Sequence, residues 1–365
     1  MKKSLFIIAS TALLISCASN DIKNDIAPTP IGFTKVYVEN GTKAITTGAY
    51  NTTNFETLGN TFGVFGYKTT ATQTNYLSFD DVEVEFKAGH TVSTNGYDAV
   101  NDWEYSPLVY WDKNATSYSF YAYAPHESDF TGTAALASNS ATAFSITGFK
   151  QATTSNADMI DLMTDLTHHS PFGGTIGTND VAFTFQHILS NITVRMAVGD
   201  ALKSDNTNNP VTVVSVSIGT IKMDGSYAYD TNAYKWTLAA NPTTKKFEGT
   251  PKDPSDDATN VFKSDRLTNR TTGFTTVAGL ENLLFVPQAV DAGYKIELKY
   301  KIADETYETE IPLSSFKNSG NSALATWVPG YKYTYDIVIG PNPILFDAAG
   351  VTDWTDGGQY IYVVE

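Results

Sequence analysis

The sequence predicts an all-β fold built from antiparallel β-sandwiches. Short runs rich in aromatic and β-branched residues recur along the 365 residues, and such runs favour strands. Turn clusters such as NNP, MDGS, DAG and GPNP separate them, and these residue types punctuate strands. A helical period is weak everywhere, with its best candidate at residues 156–166. Frequent strands without intervening helices are typical of sandwiches.

The residue pattern within individual strands predicts which face of each strand is buried and which is exposed. The runs DVEVEF (81–86) and YKIELKY (294–300) alternate strictly, as half-exposed antiparallel strands do. In YSFYAYAP (118–125) the even-numbered residues share one face, while Tyr121 and Tyr123 share the other. The two alanines on the even face predict that a core approaches this strand closely on that side.

The first residues indicate export as a lipoprotein. Lys2 and Lys3 precede an apolar run, residues 5–15, that is too short to span a bilayer as a mature helix. The run ends in LISC, which resembles a bacterial lipobox, and Cys17 is the only cysteine of the chain. We expect residues 1–17 to be a signal peptide that ends at Cys17, with a lipid such as palmitate on that cysteine.

The residues after Cys17 predict its address and its attachment. Ala18 stands where an Asp commonly holds lipoproteins at the inner membrane, so the expected location is the outer membrane. Residues 18–30 are polar and end in Pro, which is typical of a tether. With no second cysteine, disulfide bonds cannot stabilise the fold, so packing must do so.

Charge and length limit the function classes. The chain has 39 acidic and 24 basic residues and a formal net charge of −15, which argues against nucleic acid as a partner and suits an exposed surface protein. The remaining length suits one large or two medium domains. We place their boundary near Gln186, which gives an N-terminal sandwich at 31–185 and a C-terminal sandwich at 186–365.

Motifs for chemistry are scarce. The five histidines are scattered, and the sequence has no H-E-x-x-H, C-x-x-C, G-x-S-x-G or P-loop pattern. We therefore predict no catalytic residue, no metal site and no cofactor. Acidic pairs occur at Asp80-Asp81, Asp256-Asp257 and Glu308/Glu310; we interpret them as solvated faces and turns rather than glycosidase pairs. His187 is interpreted as a polar anchor at the domain junction, bonded to backbone, rather than as a catalytic base.

The order of several motifs resembles the fimbrillin-like (Mfa-like) lipoproteins of Bacteroidetes-type bacteria. Each motif is weak alone, but together they run in the family's order from the lipobox to the end of the chain. They are WEYSPLVYWDKNATSYSFYAYAP (103–125), DLMTD (161–165), VAFTFQHILSNITVRM (181–196), LLFVPQAV (283–290), WVPGYKYTYDIVI (327–339) and ILFDAAGVTDW (344–354).

The resemblance implies a fold and a mechanism. It implies two tandem transthyretin-like sandwiches with Greek-key topology, in a lipoprotein exposed on the outer membrane and incorporated into a fimbrium. In that family a protease removes the first strand, and a donor strand from a neighbouring subunit fills the opened groove, which is β-augmentation. The implied partners are other pilin subunits, in a homopolymer or a heteropolymer, together with the membrane through Cys17 and a host or bacterial surface receptor.

The resemblance also implies a processing site. The first, removable strand corresponds to IGFTKVYV (31–38), followed by an Asn40-Gly41 turn signal. The family commonly has Thr-Arg-Ala at the cleavage position, where this chain has Thr42, Lys43 and Ala44. Either a different protease cuts after Lys43, or the subunit stays uncut and serves as an anchor or surface lipoprotein.

The C-terminal segment GQYIYVVE (358–365) is the candidate donor strand. In it Ile361 and Val363 share one face, and Tyr360, Tyr362 and Val364 share the other. It is equally interpretable as a core strand of the second domain, which would suit a tip position.

Two other functions remain open from the sequence. A non-polymerising surface adhesin or glycan-binding lipoprotein predicts exposed aromatic residues clustered in a groove away from the first strand. A surface hydrolase predicts two carboxylates that converge in a deep cleft. Fold resemblance alone does not choose among them, because function depends on sites.

Overall fold

The computed structural model describes residues 29–33, 37–38, 61–91, 100–154, 156–166, 174, 176, 180–198, 211–230, 233–249, 274–302, 304–317, 322–340 and 355–360. These ranges form an all-β protein, which confirms the predicted class. The first ten strands are β1 (Tyr37–Val38), β2 (Thr61–Thr70), β3 (Tyr76–Thr91), β4 (Val100–Glu104), β5 (Ala115–Ala124), β6 (Thr131–Leu136), β7 (Phe144–Lys150), β8 (Met163–Asp165), β9 (Thr184–His187) and β10 (Ser190–Val198). The next ten are β11 (Val211–Lys222), β12 (Asp224–Asp230), β13 (Ala233–Leu238), β14 (Thr244–Glu248), β15 (Thr275–Thr276), β16 (Leu283–Phe285), β17 (Lys295–Ile302), β18 (Glu305–Pro312), β19 (Tyr331–Ile339) and β20 (Thr355–Tyr360).

Helical structure in the described ranges is limited to single 3-10 turns. They are Glu127–Asp129, Ala141–Ala143, Asn156–Asp158 and Leu313–Ser315. The best helical candidate of the sequence, residues 156–166, is one such turn followed by β8. Its neighbouring residues Leu162 and Met163 pack into different cores, as adjacent residues of a strand do. Within the described residues, no helix has the length and apolar character needed to cross a bilayer.

The N-terminal half is dominated by a seven-stranded sheet in the order β1-β9-β8-β5-β2-β3-β4. One face of this sheet encloses an apolar cluster, here called the interior core, to which β2, β3, β4, β5, β8 and β9 all contribute. The other face packs on a second cluster, here called the shared core, which extends through the C-terminal half.

Strand β5 lies between these two cores. Its even-numbered residues 118–124 belong to the interior core, while Tyr121 and Tyr123 belong to the shared core. The predicted division of the two faces is confirmed. Both faces are buried, however, whereas the sequence suggested a core on one side only.

The remaining strands form three smaller sheets. One has the order β15-β10-β19-β20, with β16 also on β10; another has the order β14-β11-β17-β18; a third has the order β13-β12-β7-β6. Most pairs in the described ranges are antiparallel, as predicted. The pairs β1–β9, β10–β19 and β19–β20 are parallel.

The sheet β13-β12-β7-β6 joins the two halves of the chain. Its strands β6 and β7 precede Gln186, and β12 and β13 follow it. Trp236 on β13 donates its indole N–H to the carbonyl of Ile188 at 2.6 Å, and its ring lies 5.6 Å from that of Phe149 on β7. The domain boundary near Gln186 stays a prediction. In this sheet, strands from before and after Gln186 pair directly with each other.

Candidate functional site: the groove filled by the first strand

The described N-terminal residues, 29–33 and 37–38, are called here the first-strand segment. Its apolar side chains are part of the interior core rather than of a surface covering. Ile31, Phe33 and Val38 are 0%, 3% and 4% exposed. A segment predicted to be removable therefore contributes core residues.

Phe33 lies at the centre of an aromatic cluster. Its ring centroid lies 5.9 Å from Phe62, 5.7 Å from Phe79 and 5.5 Å from Tyr105, each in an edge-like arrangement. It is stacked on Phe183 at 5.7 Å. Such pairs contribute about 0.5–1.5 kcal/mol each beyond apolar burial, so Phe33 is a strong anchor for the segment.

The backbone of the segment connects the two margins of the seven-stranded sheet. Phe33 forms an antiparallel bridge with Trp103 on β4 and a parallel bridge with Val181, just before β9. Since β4 and β9 lie toward opposite ends of the strand order, the segment closes the sheet around the interior core. Without it, both margins would present unpaired N–H and C=O groups.

Hydrogen bonds fix the segment on both sides. The backbone bonds are Ile31 N–H to Val109 O at 2.9 Å, Trp111 N–H to Thr29 O at 2.9 Å, and Val181 N–H to Gly32 O at 2.8 Å. The Tyr105 hydroxyl donates to the Ile31 carbonyl at 2.8 Å. Thr29 and Pro30, which end the predicted tether, therefore already take part in the pairing.

Gly32 leaves room for a carboxylate. A Cβ atom at this position would lie 2.4 Å from Oδ1 and 3.0 Å from Cγ of Asp180. Contacts this short require Asp180 to move. The segment therefore has its glycine beside the exposed Asp180 side chain, which a larger residue would displace.

The groove is the surface that the first-strand segment covers. Its lining residues are Phe62, Phe79, Trp103, Tyr105, Phe183 and Phe185. No groove was predicted for these residues from their sequence, although a signal exists. Trp103 and Tyr105 lie two residues apart, and Val181, Phe183 and Phe185 repeat with the period of two that marks one strand face.

The structure describes only part of the predicted processing and donor sites. Cys17, Lys43 and Ala44 lie outside the described residues, and so do Ile361, Tyr362, Val363 and Val364. Tyr360 is the last residue of β20, where it is the register partner of Tyr335 on β19. The end of the chain therefore begins as a strand paired within its own subunit.

His187 is buried and bonded, as its assignment as an anchor requires, but with a different partner. Its Nδ1 lies 3.0 Å from Oδ1 of Asp161, which is also buried. The predicted backbone partner is thus replaced by a carboxylate that precedes β8. The pair connects β9 to the residues before β8.

The described acidic pairs differ in their surroundings. Glu308 and Glu310 lie in exposed ion pairs, as predicted, whereas Asp81 of the Asp80-Asp81 pair is partly buried and accepts a hydrogen bond from Tyr123, against the prediction of a solvated turn. Glu308 contacts Lys299 at 2.5 Å and Glu310 contacts Lys295 at 2.7 Å across β17 and β18. Asp256 and Asp257 lie outside the described residues. In the described part of the chain, no three His, Cys, Asp or Glu side chains are grouped to hold a metal ion.

Asp81 is a described carboxylate whose pKa is raised. Burial raises the pKa of its carboxyl, against the hydrogen bond from the Tyr123 hydroxyl, which lowers it. That bond measures 2.7 Å, and Asp81 adopts a left-handed φ of 49° at the irregular register between β2 and β3. Burial also raises the pKa of Tyr123. The charges of Glu127 and Asp80 also raise the pKa of Asp81, and His126 lies 3.8 Å from both Asp81 and Glu83. Asp81 is therefore part of a charged cluster at this irregularity of β3.

Comparisons with known proteins agree with this architecture. A family model described as fimbrillin-like matches residues 42–354. Fimbrium subunit Fim1C of Phocaeicola vulgatus is 26% identical over 379 aligned positions, with 97% of each chain covered. A crystal structure of a fimbrial protein from Bacteroides vulgatus has a TM-score of 0.56 and 20% identity, covering 86% of this chain and 96% of that one. At that identity, the structural likeness concerns the fold alone.

Proposed function

This chain belongs to the fimbrillin-like family, and from that premise we propose that it is a structural subunit of a cell-surface fimbria. In this proposal it is exported to the outer membrane as a lipoprotein through Cys17. It loses its first strand by cleavage after Lys43, and a donor strand from a neighbouring subunit then fills the groove. Its function is assembly rather than catalysis.

The observation that carries the proposal is the position of the first-strand segment. Ile31, Phe33 and Val38 are core residues, yet they belong to a terminal piece that a single cut after Lys43 would separate from the rest. Burying one such apolar side chain stabilises by about 1.5–3 kcal/mol. An emptied groove therefore favours any strand that can restore these contacts and the backbone pairing at both margins.

A donor strand that replaces the segment meets the same hydrogen-bonding groups, one acceptor and three donors. They are the carbonyl of Val109 and the N–H groups of Trp111 and Val181, together with the Tyr105 hydroxyl. Alternate side chains of the donor strand enter the aromatic cluster. In β-augmentation the backbone hydrogen bonds supply affinity, and the pockets for alternate side chains supply specificity.

Residues 360–364 are the proposed donor, with the alternative of a core strand kept open. If Tyr360 leaves β19 and enters a neighbour together with the residues after it, the subunit both accepts and donates, as a stalk subunit does. If Tyr360 stays paired with β19, the subunit accepts but does not donate, and it belongs at a tip. Either role makes other pilin subunits the partners, with a surface receptor as a further partner at the tip.

The test compares Lys43 variants of the purified precursor. We expect trypsin to cut after Lys43, and the cut protein to form SDS-resistant ladders and fibres seen by electron microscopy. Lys43→Gln removes the cut site without altering the described structure, and it should stay monomeric under the same digestion. Lys43→Arg should additionally be processed by an Arg-specific protease that leaves the parent protein intact.

Two results would contradict the proposal. One is a cut after Lys43 that leaves stable monomers with the first strand still bound. The other is ladder formation by Lys43→Gln at the same rate as by the parent protein. Monomers that bind a glycan array instead would favour the non-polymerising adhesin. The large exposed aromatics among the described residues are Tyr76, Tyr110 and Tyr307, and these are the positions to substitute in that assay.

A further inference from the structure

We propose that β10 and β19 form a mechanical clamp that carries tension through the subunit by loading a parallel strand pair in shear. The inference rests on the proposed function, because a fimbria under pull transmits force from each groove to each donor strand. It adds a load-bearing role for a pair of strands that do not line the groove.

The pairing of β10 with β19 is the longest parallel ladder in the described residues. Its register runs without a shift through eight residue pairs, from Asn191 opposite Lys332 to Val198 opposite Ile339. Parallel ladders have evenly spaced hydrogen bonds. Under a force along the strands, such bonds share the load, whereas a force across one end breaks them one after another.

The connections of the two strands produce the shear direction. Strand β9, whose Phe185 pairs with Val38 of the first-strand segment, leads into β10 after only Ile188 and Leu189. Tension from the groove therefore reaches β10 at its N-terminal end. Tension from the C-terminal strand reaches β19 at its C-terminal end. Because the strands are parallel, these two ends lie at opposite ends of the ladder.

An ion pair joins the middle of the ladder. Arg195 and Asp336 are register partners, and the guanidinium donates from Nε at 2.8 Å and from Nη2 at 2.7 Å to the two carboxylate oxygens. The Asp336 side chain is fully buried, and 17% of the Arg195 side chain is exposed. Bidentate, charge-assisted pairs are directional and strong, so this pair resists sliding of one strand along the other.

Further bonds hold the entry to the ladder. The Ser190 hydroxyl at the start of β10 donates to the carbonyl of Val328 at 2.8 Å. Trp327 donates to the hydroxyl of Tyr335 on β19 at 2.9 Å. By contrast, β20 has four register pairs with β19 and a shift among them. We expect β20 to detach first under tension and the clamp to hold after it.

The test is single-molecule pulling on the full-length protein in a Cys17→Ser background, so that handles attach only at introduced cysteines. The shear geometry uses Asp180→Cys, just before β9, and a cysteine appended after Glu365. The peeling geometry uses Asp180→Cys and Val328→Cys, which load the same end of both strands. In both geometries β12 and β13 lie between the handles while β6 and β7 lie outside them, so any resistance from the sheet β13-β12-β7-β6 is present in both measurements.

We expect the second rupture in the shear geometry to need a clearly higher force than rupture in the peeling geometry. Equal forces in the two geometries would overturn the proposal. This comparison needs no change in the clamp itself, so it stands even if a clamp variant fails to fold. It is also independent of polymerisation, so a failed Lys43 experiment and a failed clamp experiment are distinguishable.

The clamp variant is Asp336→Asn. We expect its lifetime at constant force in the shear geometry to fall about tenfold, a change of about 1.4 kcal/mol in the unfolding barrier. The lifetime in the peeling geometry should change much less. The matched control is Glu308→Gln, which breaks the exposed cross-strand pair with Lys299 and should leave both lifetimes unchanged. An equal loss in both geometries would show a general destabilisation and overturn the clamp.

Discussion

At the scale of single residues, Phe33 has the largest effect on the groove. It contacts four aromatic rings and bridges both margins of the sheet. The sequence placed Phe33 in the removable strand through a family resemblance, but not in the middle of an aromatic cluster. Its four ring partners lie in four separate stretches of the chain, and no local pattern could show that they meet.

Replacing Phe33 by Ala should lower the free energy of unfolding of the uncut protein by about 3–5 kcal/mol, because it leaves a cavity among rings. Urea denaturation would measure this loss. Tyr76→Ala is the control, since Tyr76 is 49% exposed, and it should change stability by less than about 1 kcal/mol. A loss at Phe33 no larger than that at Tyr76 would show that the segment is not anchored by this ring.

Asp81 gives a pH prediction at the same scale. Its pKa is raised above 3.8, chiefly by burial, so the folded state holds the proton more tightly than the unfolded state does. The stabilisation from this protonation is fully present below the unfolded pKa and is lost as the pH rises through the folded pKa.

Asp81→Asn should therefore be at least as stable as the parent protein at pH 7, with the difference shrinking toward pH 3. Asn tolerates the left-handed backbone at this position, and its amide oxygen still accepts from Tyr123. Urea midpoints measured across pH 3–7 would check this. The control is Asp80→Asn at the exposed neighbouring residue, for which the urea midpoint should depend on pH almost as it does in the parent protein. A variant that loses stability at pH 7 would contradict the assignment of burial as the dominant cause.

At the scale of elements, alternation in the sequence identified strands well but not their partners. The predicted alternation of residues 294–300 appears in β17, whose burial alternates along most of its length. Residues 181–185 show the same period, yet their role as a groove wall depends on the first-strand segment lying against them. Pairing between strands far apart in sequence is set by packing of whole faces, which a local pattern does not contain.

The position of the first-strand segment in the groove can be tested at Gly32. Gly32→Ala should destabilise the uncut protein and speed proteolysis within the segment, because its Cβ would collide with Asp180. The double variant Gly32→Ala/Asp180→Ala should recover most of this loss, which a double-mutant cycle measures as coupling. Gly293→Ala is the control, since the nearest atom there is 3.6 Å away. Additive effects at Gly32 and Asp180 would contradict the proposed contact.

At the scale of the whole molecule, the two halves are joined by pairing as well as by covalent linkage. Strand β7 pairs with β12 and the shared core runs through both halves. The sequence predicted two domains of suitable size, and neither its composition nor its periodicity indicated that a hairpin after Gln186 would extend a sheet before it.

Residues 31–185 and 186–365, produced separately, should each expose apolar surface and associate when mixed. The reason is that β12 and β13 would lose β7, and the indole of Trp236 would lose the ring of Phe149. Size-exclusion chromatography and amide hydrogen exchange would measure the complex and its protection. Trp236→Ala in the second fragment should weaken the association, whereas Tyr307→Ala should not. Two fragments that are each well ordered and do not associate when mixed would contradict this prediction.

The closure of the seven-stranded sheet also has a consequence for the order in which the chain folds. The first-strand segment is among the first parts to be synthesised, but its partners Trp103, Val109 and Val181 come much later. Contacts across such separations close slowly, since ordering of the intervening chain must precede them. Each newly made chain thus passes through a stage with an aromatic interior still accessible, when a chaperone would bind most usefully and an early encounter with another copy would be most damaging.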